Sequence, residues 1–301
     1  MKKGYLFVLL TALVSGVSIF LNKFAVSGID PYVFTFSKNL LVALFLLAVL
    51  LMFKEFKALK KLTGTQWAKL AAIGLVGGSV PFLLFFKGLS MAPSVTASLL
   101  HKSMFLFVAV AAVFFLREKL SKGFFIAAVL LFAGNLLLLG KAAMGFGVPE
   151  LLILAAVIFW SAETIISKHV LKELSSNVVA FGRMFFGVLF ILAFLTATGS
   201  VGKIISFTAP QLGWIAFTSV LLFAYVTSWY AGLKRVSATG ASCVLVLGSA
   251  VTTLLSFFYS GSVAMTELVG AALISSGVLV MLGYSYIASK FKLILASKTE
   301  N

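Results

Sequence analysis

The chain alternates long apolar stretches with short polar ones, and the spacing is regular from end to end. Apolar runs fall at 5–25, 32–53, 67–86, 93–116, 122–140, 148–168, 177–198, 210–232, 238–260 and 266–288. About twenty residues at 1.5 Å per residue cross a hydrocarbon core of roughly 30 Å, so each run is long enough to be a spanning helix. The pattern therefore predicts an all-α integral membrane protein of ten transmembrane helices. Most connections are short, which makes consecutive helices antiparallel neighbours. Only the segments 54–66 and 199–209 have any length, and no room remains for a soluble domain. Met1, Lys2 and Lys3 before the first run imitate a secretory leader. The run is long enough to span and no small-residue cleavage site follows it, so the segment is expected to be retained.

Composition agrees with this reading. The chain is 61% hydrophobic and 11% charged, with mean hydropathy +1.15. A soluble domain needs roughly a quarter of its residues charged, so this chain must face lipid over most of its area. The net charge of +16 does not indicate nucleic acid, because the basic residues stand singly or in small groups between apolar runs. They are, however, unevenly distributed. With the N-terminus on one side, that side receives Lys2, Lys3, Lys54, Lys57, Lys60, Lys61, Lys69, Arg117, Lys119, Lys122, Lys168, Lys172, Lys234, Arg235, Lys290, Lys292 and Lys298. The other side receives only Lys23, Lys87, Lys141 and Lys203. The positive-inside rule makes the rich side cytoplasmic. Both termini are then inside, in the cytoplasmic membrane, which requires an even number of spans. The single cysteine, Cys243, lies in an apolar run; it reads as a packing residue and rules out a disulfide within one chain.

Sliding the chain on itself by about 145 positions uncovers a repeat. Ser15 and Gly16 meet Trp160 and Ser161, Asn22 and Lys23 meet Ser167 and Lys168, and Phe36 to Lys38 meet Phe181 to Arg183. At an offset of 144, Gly88 and Leu89 meet Gly232 and Leu233, and Ala97 and Ser98 meet Ala241 and Ser242. Five helices per unit is an odd number, so the second unit enters from the opposite side and the two repeats are inverted. The units are expected at 1–143 and 144–289, followed by a cytoplasmic tail at 290–301. Inverted repeats are a transporter architecture with the substrate near the midplane between the halves.

These residues resemble the drug/metabolite transporter superfamily, EamA type. The resemblance covers nearly the whole chain. It rests on Ser15-Gly16 to Lys23, Trp160-Ser161 to Lys168, the basic pair Lys38 and Arg183, and the segment Phe114-Phe115-Leu116-Arg117-Glu118-Lys119-Leu120-Ser121. The pattern departs at Phe105 and Ser249, where the family often has proline, and at Ser262, where it has a second glutamate. The resemblance implies alternating-access transport of small metabolites, often outward. It also places Trp229 and Tyr230 on a helix near the cavity.

Ionisable groups at membrane depth are costly and mark candidate sites. They are Lys38, His101, Lys102, Glu163 and Arg183, and Glu163 is the one carboxylate well inside a span. Glu163 and Arg183 flank the turn near residue 173 symmetrically. That sets them at similar depth, roughly 6 Å to the cytoplasmic side of the midplane, and predicts an ion pair. Ser18 stands opposite Lys38 in the same way, so the first cation has no carboxylate. His101 and Lys102 are adjacent in the middle of a helix and are expected to point about 100° apart. Trp160 lies one turn before Glu163. Gly74, Gly78 and Pro81 predict close approach or a kink in the third helix. Gly123, Gly134, Gly270 and Gly277 predict tight contacts between the fifth and tenth.

No P-loop, H-E-x-x-H or G-x-S-x-G motif is present, and no cofactor or metal is expected. The first reading is a secondary transporter, not an enzyme, acting as a monomer or homodimer. Its substrate would be a small amino acid, organic acid or drug-like solute, and Glu163 the group to suspect for proton coupling. A lipid or amphiphile flippase shares the architecture. An intramembrane enzyme on a lipid-linked substrate would use His101 and Glu163 as acid and base.

Overall fold

The computed structural model describes residues 2–139, 147–261 and 264–299, with side chains throughout except at 2, 139, 205 and 285–299. Lys141, the unit boundary at 143/144, Ser262 and the side chains of the expected tail lie outside this description. Among the described residues ten long helices build the fold, with a short helix at Phe56–Leu59 and a 3-10 turn at Val201–Ile205 in the two longer connections. The ten are α1 (Lys2–Gly28), α2 (Pro31–Met52), α3 (Gly64–Met91), α4 (Ser94–Leu116), α5 (Lys122–Leu139), α6 (Val148–Val170), α7 (Ser176–Ala197), α8 (Ala209–Leu233), α9 (Ala238–Ser260) and α10 (Met265–Thr299). Among the described residues, nine are long and apolar enough to span a membrane, and α5 is a shorter apolar helix. α10 runs past its expected end, because nothing between Ile287 and Ser297 is a glycine or proline that would stop it.

Leu6, Leu44, Phe114, Val129 and Phe258 point outward and are exposed, whereas Asn22, Lys38, Asn39, Lys102, Glu163 and Arg183 are buried. This arrangement suits lipid as the solvent, where polar groups must find partners inside. Contacts between the halves are reciprocal. α1 packs on α8 and α9, and its mate α6 packs on α3 and α4; α2 packs on α7, and α5 on α10. The halves are thus interlocked rather than side by side.

Side-chain contacts repeat in the same sense. Lys23 donates to the carbonyls of Leu89 (3.0 Å) and Ser90 (3.1 Å) near the end of α3. Its mate Lys168 donates to Leu233 and Val236 (both 2.6 Å) at the end of α8. Each ammonium takes carbonyls that a helix C-terminus leaves without partners. Thr63 and Gln66 form a capping box on α3, and Thr208 and Gln211 form one on α8. The chain leaves α4 at Arg117 and α9 at Gly261, both with left-handed φ (55° and 73°).

Three helices are irregular. α4 breaks at Ser103 and α9 breaks at Val246, at matching places in the two units. α3 widens into a π-helical segment, Gly74–Ser79. A Cβ on Gly78 would lie 2.1 Å from the Arg183 carbonyl oxygen, and one on Gly74 2.3 Å from Phe186 Cβ. The glycines therefore let α3 and α7 touch backbone to backbone, as their spacing predicts. The α5–α10 contact is similar, with Gly134 against the Gly270 carbonyl and Gly277 against Leu131.

Candidate functional site

The π segment creates the first element of the site. Pro81 has no N–H to offer the carbonyl of Gly77, four residues earlier, so that carbonyl is free to accept from other helices. Trp160 Nε1 and Arg183 Nη2 both donate to it at 3.0 Å. The next carbonyl, Gly78 O, accepts from Asn39 Nδ2 at 3.1 Å. Arg183 also faces the rings of Phe82 (5.5 Å) and Tyr230 (5.8 Å), and its buried Nε has no partner.

Glu163 and Arg183 do not form the expected ion pair. The ion pairs among the described residues are Lys69–Glu173 and Lys203–Asp30. Instead, Glu163 Oε1 accepts from the Tyr230 hydroxyl (2.5 Å) and from the Ser167 hydroxyl one turn along its own helix. The reason is competition: the Gly77 carbonyl takes the guanidinium, and two hydroxyls take the carboxylate. Glu163 and Arg183 still line one small cavity, with Met104, Trp160, Tyr225 and Trp229.

In the first unit, Lys38 Nζ donates to Asn22 Oδ1 (3.1 Å), and Asn22 Nδ2 donates to Ser18 Oγ (2.8 Å). Lys38 stands over the rings of Phe86 (4.2 Å) and Phe34 (5.1 Å). Ser18 and Asn22 occupy the positions in α1 that Glu163 and Ser167 occupy in α6. The two units therefore carry the same layout with different chemistry.

His101 and Lys102 are the last two residues before the break in α4, and the long lysine side chain reaches back to its neighbour. Lys102 Nζ reaches Ser15 Oγ (2.5 Å) and His101 Nδ1 (3.1 Å). When Lys102 is charged it can only donate, which makes His101 Nδ1 the acceptor and puts the imidazole proton on Nε2. The mate break at Val246 leaves room for this lysine: a Cβ on Gly248 would lie 2.8 Å from Lys102 Cε.

A central cavity joins these groups. It is lined by Ser15, Ser18, Ile19 and Asn22 of α1, Lys38 of α2, Phe82, Phe85 and Phe86 of α3, and His101 of α4. Trp160 of α6, Arg183 of α7, and Leu222 and Tyr225 of α8 close it. The centre of a water molecule can move through only about 50 Å³ of it, so this conformation is narrow. Of the residues singled out in the sequence, Lys38, His101, Trp160 and Arg183 meet in this cavity. Glu163 and Trp229 line the smaller one behind Trp160. Tyr230 and Lys102 serve as partners to lining residues.

Sequence reasoning missed Phe82, Phe85, Phe86 and Tyr225, which were hidden among abundant aromatics. Glu118, quoted from the sequence only as part of the family-like segment, has a carboxylate that accepts from the Ala238 (2.7 Å) and Thr239 (3.1 Å) amides and caps α9. Its place at the end of α4 was the available signal.

The model of the EamA-like transporter family matches residues 2–140 and again 148–283. The chain belongs to the EamA-like transporter family. An uncharacterized transporter from Clostridium kluyveri is 27% identical over 298 residues, covering 92% of each chain. One from Archaeoglobus fulgidus is 22% identical over 264 residues, covering 85% of this chain and 89% of its own. A solved crystal structure at 18% identity superposes with a TM-score of 0.73 and covers 91% of this chain and 94% of its own, a likeness of fold. The EamA match falls once on each five-helix unit. The protein is a multi-pass membrane transporter.

Proposed function

We propose that this EamA protein is a secondary transporter that carries a small anionic or zwitterionic metabolite across the cytoplasmic membrane by alternating access, in the outward direction. One observation carries the reading. The central cavity is built from both units and presents Lys38, Arg183, His101 and serine hydroxyls, with no carboxylate among its lining residues. Donors converging on one cavity favour an anionic group, and the aromatic walls suit an apolar body. The site lies where inverted repeats meet, between groups that can rock against each other. Uptake of labelled amino acids and organic acids into sealed proteoliposomes tests this. Saturable uptake of at least one, lost in Arg183→Gln, is expected. Movement of fluorescent lipid with no solute flux would make the protein a flippase instead.

Glu163 is proposed as the proton-carrying group. It is the carboxylate at depth, and its contacts come from Tyr230 of α8 and Ser167 of α6, with Arg183 of α7 and Tyr225 of α8 facing the same cavity. A carboxylate held by hydroxyls rather than by an ion pair keeps its acceptor geometry when protonated on the other oxygen. That is a property a coupling group needs.

A further inference from the structure

The charges at the centre of the molecule do not balance. Lys38, Lys102 and Arg183 are buried cations, and Glu163 is the buried carboxylate set against them. With all four ionised, the formal sum is +2. Glu163 lies outside the lining of the central cavity and is bound to hydroxyls, not to a cation. Lys38 has only the neutral Asn22 and two aromatic faces. Arg183 has a backbone carbonyl, two aromatic faces and an unpartnered Nε. Glu163 shares the smaller cavity with Arg183 without forming an ion pair; removing such charges from water without a paired counter-ion is expensive, and cation–π contact offsets only part of the cost.

The two cavity cations are also kept apart. The rings of Phe82 and Phe86 are stacked with centroids 6.0 Å apart, on successive turns of α3. Lys38 stands over Phe86 and Arg183 over Phe82. Each unit thus contributes one cation to the cavity lining, Lys38 against Phe34 and Phe86 and Arg183 against Phe82 and Tyr230. His101 lines the same cavity.

Resting on the transport reading above, we infer that the substrate of this cavity is a dianion with two separated anionic groups, of the class of short dicarboxylates. One end is held by Lys38 beside Asn22 and the other by the Arg183 guanidinium, the cation that the second unit adds to the lining. A phosphate monoester also carries two charges, but it concentrates them on one group and would engage one of the two cations. The solute, in this account, is the missing counter-ion of both halves.

The test is thermal stabilisation of the purified protein at pH 7 by three probes: succinate, its monoamide succinamate, and glycerol 3-phosphate. A ligand that binds only the folded state raises the melting temperature. Succinate is expected to raise it at concentrations at least tenfold below those at which succinamate or glycerol 3-phosphate does. The decisive variant is Asn22→Asp, which is nearly isosteric and places a carboxylate against Lys38. It should fold, melt higher than the parent without ligand, and lose the preference for succinate over succinamate. Lys38→Gln should lose the same preference. Equal response of the parent to succinate and succinamate, or an undiminished preference in folded Asn22→Asp, overturns the dianion assignment. Stronger stabilisation by glycerol 3-phosphate moves the two charges onto one group and overturns it as well. Saturable liposome uptake of amino acids with no response to succinate would sink the dianion class while leaving the transporter reading intact. Absence of any solute uptake would remove both.

Discussion

Glu163→Gln keeps an oxygen for the Tyr230 and Ser167 hydroxyls, so its melting temperature should stay within the equivalent of about 1 kcal/mol of the parent. Uptake by that variant should no longer respond to a pH gradient. A stable variant whose uptake still follows the gradient removes Glu163 from coupling. Asp30, outside the spans, gives a second prediction. Partial burial alone would raise its carboxyl, but hydrogen bonding from Lys203 and from the Val33 and Tyr32 amides leaves it below its ordinary value of 3.8. A depressed carboxyl contributes stability above the unfolded value and loses it as pH falls through the folded one. Melting temperature should therefore drop below about pH 4. In Asp30→Ala that part of the profile should vanish, with a cost of about 1 kcal/mol, chiefly from the lost α2 cap. At this scale the sequence was legible in what stood at depth. It was not legible in who paired with whom, because the partner of Arg183 is a backbone carbonyl released by a proline on another helix.

Pro81 is the most informative position at the scale of the element. Pro81→Ala restores an N–H able to take the Gly77 carbonyl, in competition with Trp160 and Arg183. The helix should become more regular and the protein no less stable, while ligand-induced stabilisation and uptake fall. Unaltered uptake would show that the free carbonyl has no part in the site. Gly78→Ala acts in the opposite way. Its Cβ would meet the Arg183 carbonyl oxygen at 2.1 Å, forcing α3 from α7 at a cost of about 1–3 kcal/mol, read as a lowered melting temperature. Gly74, Gly78 and Pro81 announced this kink in the sequence. The breaks of α4 at Ser103 and α9 at Val246 were less legible, since Phe105 and Ser249 stand where related chains often carry proline and only Gly248 lies near the second break. Only their matching positions in the two units mark them as features of the repeat.

In the whole molecule, the repeat was the most legible feature. Lys23 and Lys168, or Gln66 and Gln211, keep the same chemistry because each unit must close the same helix ends. The site was least legible, because it depends on where the units differ, with Ser18 and Asn22 in one and Glu163 and Ser167 in the other. Ion pairs tie the units at both ends, Lys69–Glu173 at 2.7 Å on the side expected to be cytoplasmic and Lys203–Asp30 at 3.0 Å on the other. The loop charges predict that a reporter fluorescing only in the cytoplasm will be bright when fused after Asn301; a dark, inserted fusion reverses the orientation. On the proposed alternating-access cycle, one cavity between the inverted units is expected to open to each side in turn. Replacing Cys243 with Ala and Ser18 with Cys places a single thiol on the cavity wall. In sealed proteoliposomes, a membrane-impermeant thiosulfonate should modify that thiol when added outside only and, separately, when trapped inside only, for molecules of one orientation. Transported solute should slow both reactions. Modification from a single face, unaffected by solute, would contradict the account.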